Sequence, residues 1–318
     1  MRLQDLHTLP KVRDSWTYLY LEHCRVDQDD KAIAVHDAEG KTAVPCASLT
    51  TLMLGPGTTI THAAIKTLAD NGCMVMWSGE GAVRFYASGT GETRSARNLL
   101  RKSYLHSDLK ARLKVVFRMY SMRFNEELDP SLNLRQVRGK EGIRVRETYA
   151  RFSRETGIPW SGRSYQREQW MNADPINRAR SAANSCLYGV CHAAIVSAGY
   201  SPALGFIHTG KMLSFVYDVA DLYKTEITIP VAFKAVGDGG DKLETRVRQT
   251  CRDIFHERRF LNRVIPDIEK ALDVGPAGEL ELDADAAIPG GLWDPFVGLL
   301  GGGVNYGAEE APIGSADG

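Results

Sequence analysis

Residues 96–124 read ARNLLRKSYLHSDLKARLKVVFRMYSMRF. Apolar residues recur every three or four positions, with Arg and Lys between them, which is the period of an amphipathic helix. The chain before this point reads differently. SWTYLYLEHCRV (15–26), KAIAVH (31–36), TAVPC (42–46), LTTLML (49–54), CMVMW (73–77) and AVRFYAS (82–88) are short and rich in β-branched and aromatic residues. The turn-prone QDD, DAEGK, GPG and SGEG fall between them, so these segments predict strands. One helix, THAAIKTLADNG (61–72), is expected among them, with Thr61 as N-cap and Gly72 as its stop.

Helical periodicity continues in NLRQVRGKEGIRVRETYARFSRET (133–156), INRARSAANSCLYGVCHAAIVSAG (176–199), LSFVYDVADLYK (213–224) and LETRVRQTCRDIFHERRFLNRVIPDIEKALD (243–273). GIPWSGRSYQREQWMNADP (157–175) reads as an ordered polar loop, and GDGGDK (237–242) as another. The fold class expected is α+β. A small β-rich N-terminal domain (1–90) precedes a mainly α-helical catalytic domain (91–272). A flexible acidic tail rich in Gly, Ala and Pro (273–318) follows.

The 318 residues carry 39 basic and 39 acidic side chains, and 43% hydrophobic content is ordinary for a globular chain. The neutrality is a sum of opposed blocks. Residues 84–170 hold 19 basic and 9 acidic side chains, whereas 271–318 hold 9 acidic ones and no Lys or Arg. Such asymmetry predicts an anion-binding surface and a charged tail that docks on a partner or screens that surface. No run approaches the ~20 apolar residues of a membrane helix, and no secretory leader is visible. The six scattered cysteines form no CxxC pair, so free thiols in a reducing cytoplasm are expected.

Two constellations suggest chemistry. On a helix over 133–154, Leu134, Val137, Val145, Thr148 and Phe152 form one stripe with Glu141 in its middle. A carboxylate there needs a partner or a metal; the bland alternative is a core glutamate paired with Arg138 or Arg144. On a helix over 214–224, Asp221 lies on the polar face and Asp218 at its border. The turn at Gly210 allows His208 to fold back toward them. Such mixed ligands suit Mg²⁺ or Mn²⁺; the alternative is a solvated face and a core histidine. GFIHTGK (205–211) imitates a phosphate loop, but Met212 stands where Ser or Thr is required. The dense arginines of 94–154, with Tyr104, Tyr120, Tyr149, Trp160, Tyr165 and Trp170, suit salt-sensitive nucleic-acid binding.

The strings LMLGPGTTITHAAI, MVMWSGEGAVRFYASG, QVRGKEGIRVRETYA, SAANSCLYGV, SAGYSPALGFIHTGKMLSFVYDVADLYK and RQTCRDIF lie in one order along residues 1–270. Together they resemble the CRISPR-associated integrases that insert new spacers, in the form found with Cascade-type (I-E) systems. The resemblance implies a homodimer that assembles with a small second adaptation protein on double-stranded DNA. It implies Glu141, His208 and Asp221 as ligands of Mg²⁺ or Mn²⁺, with Asp218 in the same acidic cluster. Lys211 and Lys224 are assigned to phosphates. Arg84, Arg138, Arg146, Arg163, Arg248, Tyr165, Trp170, Tyr188 and Tyr217 are expected to contact DNA. The position after PGT, often basic in the family, is Thr59, and the duplex-end wedge either falls to Tyr20 or His23 or is missing. The reaction implied is transesterification, in which the 3′-hydroxyl of a captured DNA fragment attacks a phosphodiester at a CRISPR repeat. The alternatives are a structure-specific DNA repair nuclease and a non-catalytic nucleic-acid-binding scaffold.

Overall fold

His23 divides the first strand-like stretch. Its backbone is left-handed, with φ at 52°, a conformation that ends an extended run. SWTYLYLEHCRV therefore yields two strands, β1 (Tyr18–Leu21) and β2 (Arg25–Asp29), in different sheets. In the computed structural model, the described residues are 18–30, 32–46, 49–91, 96–162 and 174–273, with the backbone of 292–294 and 298–300. Contacts divide the chain into two units, Lys11–Ala277, and Met1–Pro10 with Gly278–Gly318.

In the first unit, β2 pairs antiparallel with β3 (Ala32–Asp37), which pairs antiparallel with β4 (Gly40–Pro45), and β6 (Thr59–Ile60) joins β2 in parallel. The other sheet has the order β1, β5 (Thr51–Leu54), β7 (Met74–Ser78), β8 (Phe85–Gly89), with only β8 antiparallel to its neighbour. Helix α1 (His62–Asp70) starts where expected, because Thr61 Oγ1 accepts from Ala64 N at 3.3 Å.

Alternation along β5 and β7 explains why both read as unbroken apolar runs. Leu52, Leu54 and Val75 point into a small core with Val26, Ile33, Val35 and Leu68. Met53, Met74 and Met76 point the other way, into the large core of the helices. A sheet covered on both faces has no polar side to display.

The helical part comprises α2 (Arg97–Ser107), α3 (Leu109–Phe124), α4 (Leu134–Thr156), α5 (Pro175–Ser197), α6 (Ser214–Ala220), α7 (Thr228–Gly237), α8 (Leu243–Glu257) and α9 (Phe260–Leu272). The long basic stretch divides at Asp108, whose carboxylate accepts from Ala111 N at 2.7 Å and caps α3. Asn133 and Gln136 form a reciprocal capping box at the start of α4. α7 is not expected from the sequence. Ile229, Val231, Ala232, Phe233 and Ala235 are all buried, so no polar stripe marks its period. Its Pro230 lies in the first turn, where a missing N–H costs nothing.

α5 is the axis of this part, touching α6, α7, α8, α9 and β8. Its small residues Ala179, Ala183, Ala193 and Ala194 are buried. Gly189 is required for the approach to the sheet, since a Cβ there would lie 2.4 Å from the Val83 carbonyl oxygen. In the second unit, β9 (Leu292–Asp294) and β10 (Gly298–Leu300) pair antiparallel. The rest of the expected tail lies outside the described residues.

Candidate metal and DNA site

The turn before α6 is built on Asp218. This carboxylate is fully buried and accepts hydrogen bonds from Phe206 N (2.6 Å) and Ile207 N (3.1 Å) on Oδ2, and from His208 N (2.9 Å) on Oδ1. Gly205 lets the turn close, because a Cβ there would fall 2.3 Å from the His208 carbonyl oxygen. Three consecutive N–H groups thus bind the chain's own carboxylate. That occupies the donors a phosphate loop would use, in agreement with the failed motif around Met212. A helical wheel puts Asp218 at the border of the polar face; the structure buries it, because its partners come from a loop and not from the helix.

A fourth bond fixes the imidazole. His208 Nδ1 lies 2.7 Å from Asp218 Oδ1. An ionised carboxylate only accepts, so beside it a neutral imidazole carries its proton on Nδ1 and keeps its lone pair on Nε2. Nε2 faces Asp221 Oδ2 at 4.0 Å. Asp221, at the end of α6, pairs with Lys224 Nζ at 2.6 Å and Arg123 Nη2 at 3.4 Å. Burial pushes the Asp221 carboxyl up, but Lys224 and Arg123 outweigh it and hold the group below the usual carboxylate range. Burial likewise pulls the Lys224 ammonium down, and Asp221 more than restores it.

Glu141 comes from α4. Arg144 binds it with both arms of its fork, at 2.8 Å and 3.0 Å, and also reaches Thr225 Oγ1 at 3.1 Å. The ion pair foreseen as the bland alternative is therefore present, with Arg144 as partner and Arg138 exposed to solvent. On its other side Glu141 Oε1 lies 3.8 Å from Arg123 Nη1. One buried guanidinium thus stands between the two carboxylates. Sequence reasoning passes over Arg123 as one more arginine of a dense basic helix; its only signal is its place near the apolar face of α3.

Among the described residues, no three His, Cys, Asp or Glu side chains are grouped closely enough to hold a metal ion. The donor chemistry nevertheless fits a hard divalent cation. Two carboxylates already gather around one cation, the Arg123 guanidinium, and a free imidazole nitrogen faces one of them. Two ligands of one Mg²⁺, at about 2.1 Å each, are about 3–4 Å apart, close to the His208–Asp221 separation.

Aromatic rings border this centre. Tyr217 stacks edge-on against His208 (5.9 Å) and Tyr188 (5.0 Å), and Lys224 Nζ lies 4.9 Å over the Tyr188 ring. Lys211 is exposed beyond Gly210. Arg138 and Arg146 are exposed on α4. Arg84 and Arg248 line a cleft of about 380 Å³ with Glu80, Tyr86 and Arg252. Arg163, Tyr165 and Trp170 fall outside the described residues. Of the two wedge candidates, His23 is exposed, while the Tyr20 hydroxyl is engaged by Gly81 N and Glu22. No helix among the described residues is long and apolar enough to cross a membrane.

Residues 118–250 match the family described as CRISPR associated protein Cas1. The chain is 51% identical over 316 residues to a CRISPR-associated endonuclease Cas1 of Thermus thermophilus, covering 99% of this chain and 97% of that protein. It is 44% identical over 275 residues to the Cas1 endonuclease of Geobacter sulfurreducens, covering 86% of this chain and 90% of that one. The crystal structure of a TtCas1–DNA complex, 54% identical, superposes with a TM-score of 0.78 over 83% of this chain and 99% of that one. The chain belongs to the Cas1 family of CRISPR-associated endonucleases.

Proposed function

We propose that this endonuclease is a metal-dependent integrase of the I-E form, which joins the 3′-hydroxyl ends of captured DNA fragments into CRISPR repeats by transesterification. The observation that carries this reading is the gathering of Glu141 and Asp221 around the Arg123 guanidinium, with His208 Nε2 facing Asp221, beside an exposed basic helix face. The relative crystallised with DNA supports DNA as the substrate.

Glu141, Asp221 and His208 Nε2 would hold Mg²⁺ or Mn²⁺. When bound, such an ion supplies a Lewis acid that eases loss of the hydroxyl proton and takes up charge at the reacting phosphate. Asp218 keeps the proton on His208 Nδ1, so that Nε2 stays a donor to the ion. Lys224 and Lys211 offer cations to the phosphates, and Tyr188 and Tyr217 give nucleotides an aromatic wall. Arg138 and Arg146 carry the backbone of the duplex along α4. In the reaction the fragment's 3′-oxygen forms a bond to phosphorus while the repeat's P–O3′ bond breaks. The proton lost by the attacking hydroxyl is balanced by one taken up at the leaving 3′-oxygen. Two homodimers flanking a dimer of a small second adaptation protein would present such sites to the two fragment ends.

Strand joining into a repeat-bearing plasmid, with the partner present, tests the reading. Glu141→Ala, His208→Ala and Asp221→Ala are each expected to abolish joining while DNA binding persists. Joining by these variants would refute the site. Nicking of branched DNA with no joining would favour a repair nuclease, and binding with neither activity a scaffold.

A further inference from the structure

Three cations face the two carboxylates of the centre, and they are not equivalent. Arg144 takes both Glu141 oxygens at hydrogen-bond length, 2.8 Å and 3.0 Å. Lys224 takes Asp221 Oδ1 at 2.6 Å. Both are partly exposed, with 24% and 26% of their side-chain surface open to solvent. Arg123 is different. Only 3% of its side chain is exposed, and it stands 3.8 Å from Glu141 and 3.4 Å from Asp221. Those separations exceed the usual N–H···O range of ~2.7–3.2 Å, so it neutralises both carboxylates without a short hydrogen bond to either. Its Nη2 also reaches the Asp218 carbonyl oxygen at 3.4 Å, and its Nε has no hydrogen-bond partner among the described residues. The guanidinium face lies 5.1 Å from the Tyr120 ring centroid. α3 thereby fixes the cation against both α4 and α6.

We propose that Arg123 is a permanent positioning cation of the centre, and that Arg144 and Lys224 are exchangeable cations that yield their carboxylates to a divalent ion. The proposal rests on the reading of Glu141, His208 and Asp221 as metal ligands. Arg123 cannot leave without exposing a buried charge pair, whereas Arg144 and Lys224 need only rotate into solvent. Before a metal arrives, Arg123 prevents Glu141 and Asp221 from repelling each other apart. Afterwards it remains beneath them. Arg144 and Lys224, once released, are placed to turn to the phosphates of the bound DNA.

The test is Mn²⁺ binding to the full chain by calorimetry and electron paramagnetic resonance, with thermal unfolding beside it. Arg144→Gln is expected to bind Mn²⁺ severalfold more tightly than wild type, because no fork competes for Glu141. Arg123→Gln is expected to unfold roughly 5–10 °C lower without metal, and Mn²⁺ should recover most of that loss. Arg123→Lys should fall between. Unchanged Mn²⁺ affinity in Arg144→Gln, or an unfolding temperature of Arg123→Gln equal to wild type, overturns the proposal. Should Arg123→Gln not fold, Arg144→Gln and Arg123→Lys decide it. Glu141→Gln and Asp221→Asn separate the two levels. If they lose Mn²⁺ while Arg144→Gln binds as wild type, the metal site stands and the division among cations falls. If they bind Mn²⁺ normally, the metal site itself falls.

Discussion

His208 Nδ1 lies 2.7 Å from the carboxylate of Asp218, which is buried and receives three backbone N–H groups besides. Asp218 is thus a positioning residue that serves two ends. It closes the turn 205–208, and it fixes the proton on the side of the ring away from Asp221. Asp218→Asn keeps the volume but offers one acceptor oxygen where two now serve four donors. At least two donors then lose their partner in a dry site, at a cost of about 3 kcal/mol or more. Urea unfolding should register that loss. Nitrogen NMR of the His208 ring should show the proton redistributed toward Nε2. Metal affinity should fall by roughly 10–100-fold. A ring still protonated at Nδ1 in the variant would mean that something other than Asp218 sets the tautomer.

Behind the same turn, Lys102 is completely buried. Its Nζ donates to the Ser201 carbonyl oxygen at 2.6 Å and sits over the Phe215 ring. Burial drives its pKa down to about 6, against a weaker upward pull from Asp218. The unfolded chain keeps this proton until about pH 10.5, whereas the folded chain sheds it above about 6. Between those values the unfolded state holds more protons, so stability rises with pH, by up to ~1.4 kcal/mol per unit from this group. Below pH 6 both states hold the proton and that slope vanishes. Lys102→Met keeps the stem and removes the titration. The stability difference between variant and wild type should therefore slope with pH over the range from about 6.5 to about 9. Parallel stability curves would mean that Lys102 stays charged in the fold.

Arg138 and Arg146 hold no described ion pair and stand exposed on α4. Their replacement by Ala should leave stability within about 0.5 kcal/mol. On DNA each should weaken binding uniformly across sequences and lower the slope of log affinity against log salt by about one. Salt-dependent fluorescence anisotropy measures this. A sequence-selective loss would indicate base contacts instead.

The strand-to-helix change near residue 94 is legible in the sequence because period 2 and period 3.6 differ within a dozen residues. Glu141 is legible for a related reason, as a charge in an apolar stripe. Arg123 is not. Its significance depends on α4 and α6 closing over it, and α3 alone contains no trace of that contact. Asp218 is half legible. Helical geometry puts it beside Asp221, but its burial comes from the backbone of 206–208, which no helical wheel contains. α7 escapes notice because its only charged residue is Lys234, too little to draw the polar stripe that marks a helix. The strings that carry the family resemblance compensate for these gaps, since they preserve tertiary relations that periodicity cannot express.

Gly189 is where the helical axis meets the sheet. A methyl group there would lie 2.4 Å from the Val83 carbonyl oxygen and 2.8 Å from Arg84 Cα. Both obstacles are backbone, so no side chain can rotate away. Gly189→Ala would otherwise favour α5 by roughly 1 kcal/mol, because alanine is the better helix former. The clash reverses the sign, and a net destabilisation of about 1–3 kcal/mol is expected. Because Tyr188 precedes this residue and Arg84 follows Val83, the strain spreads toward two residues assigned to DNA. Affinity for DNA should therefore fall together with stability in this variant, whereas Arg138→Ala and Arg146→Ala lose affinity alone. Unfolding of Gly189→Ala at wild-type denaturant concentration would show that α5 and the sheet can separate freely.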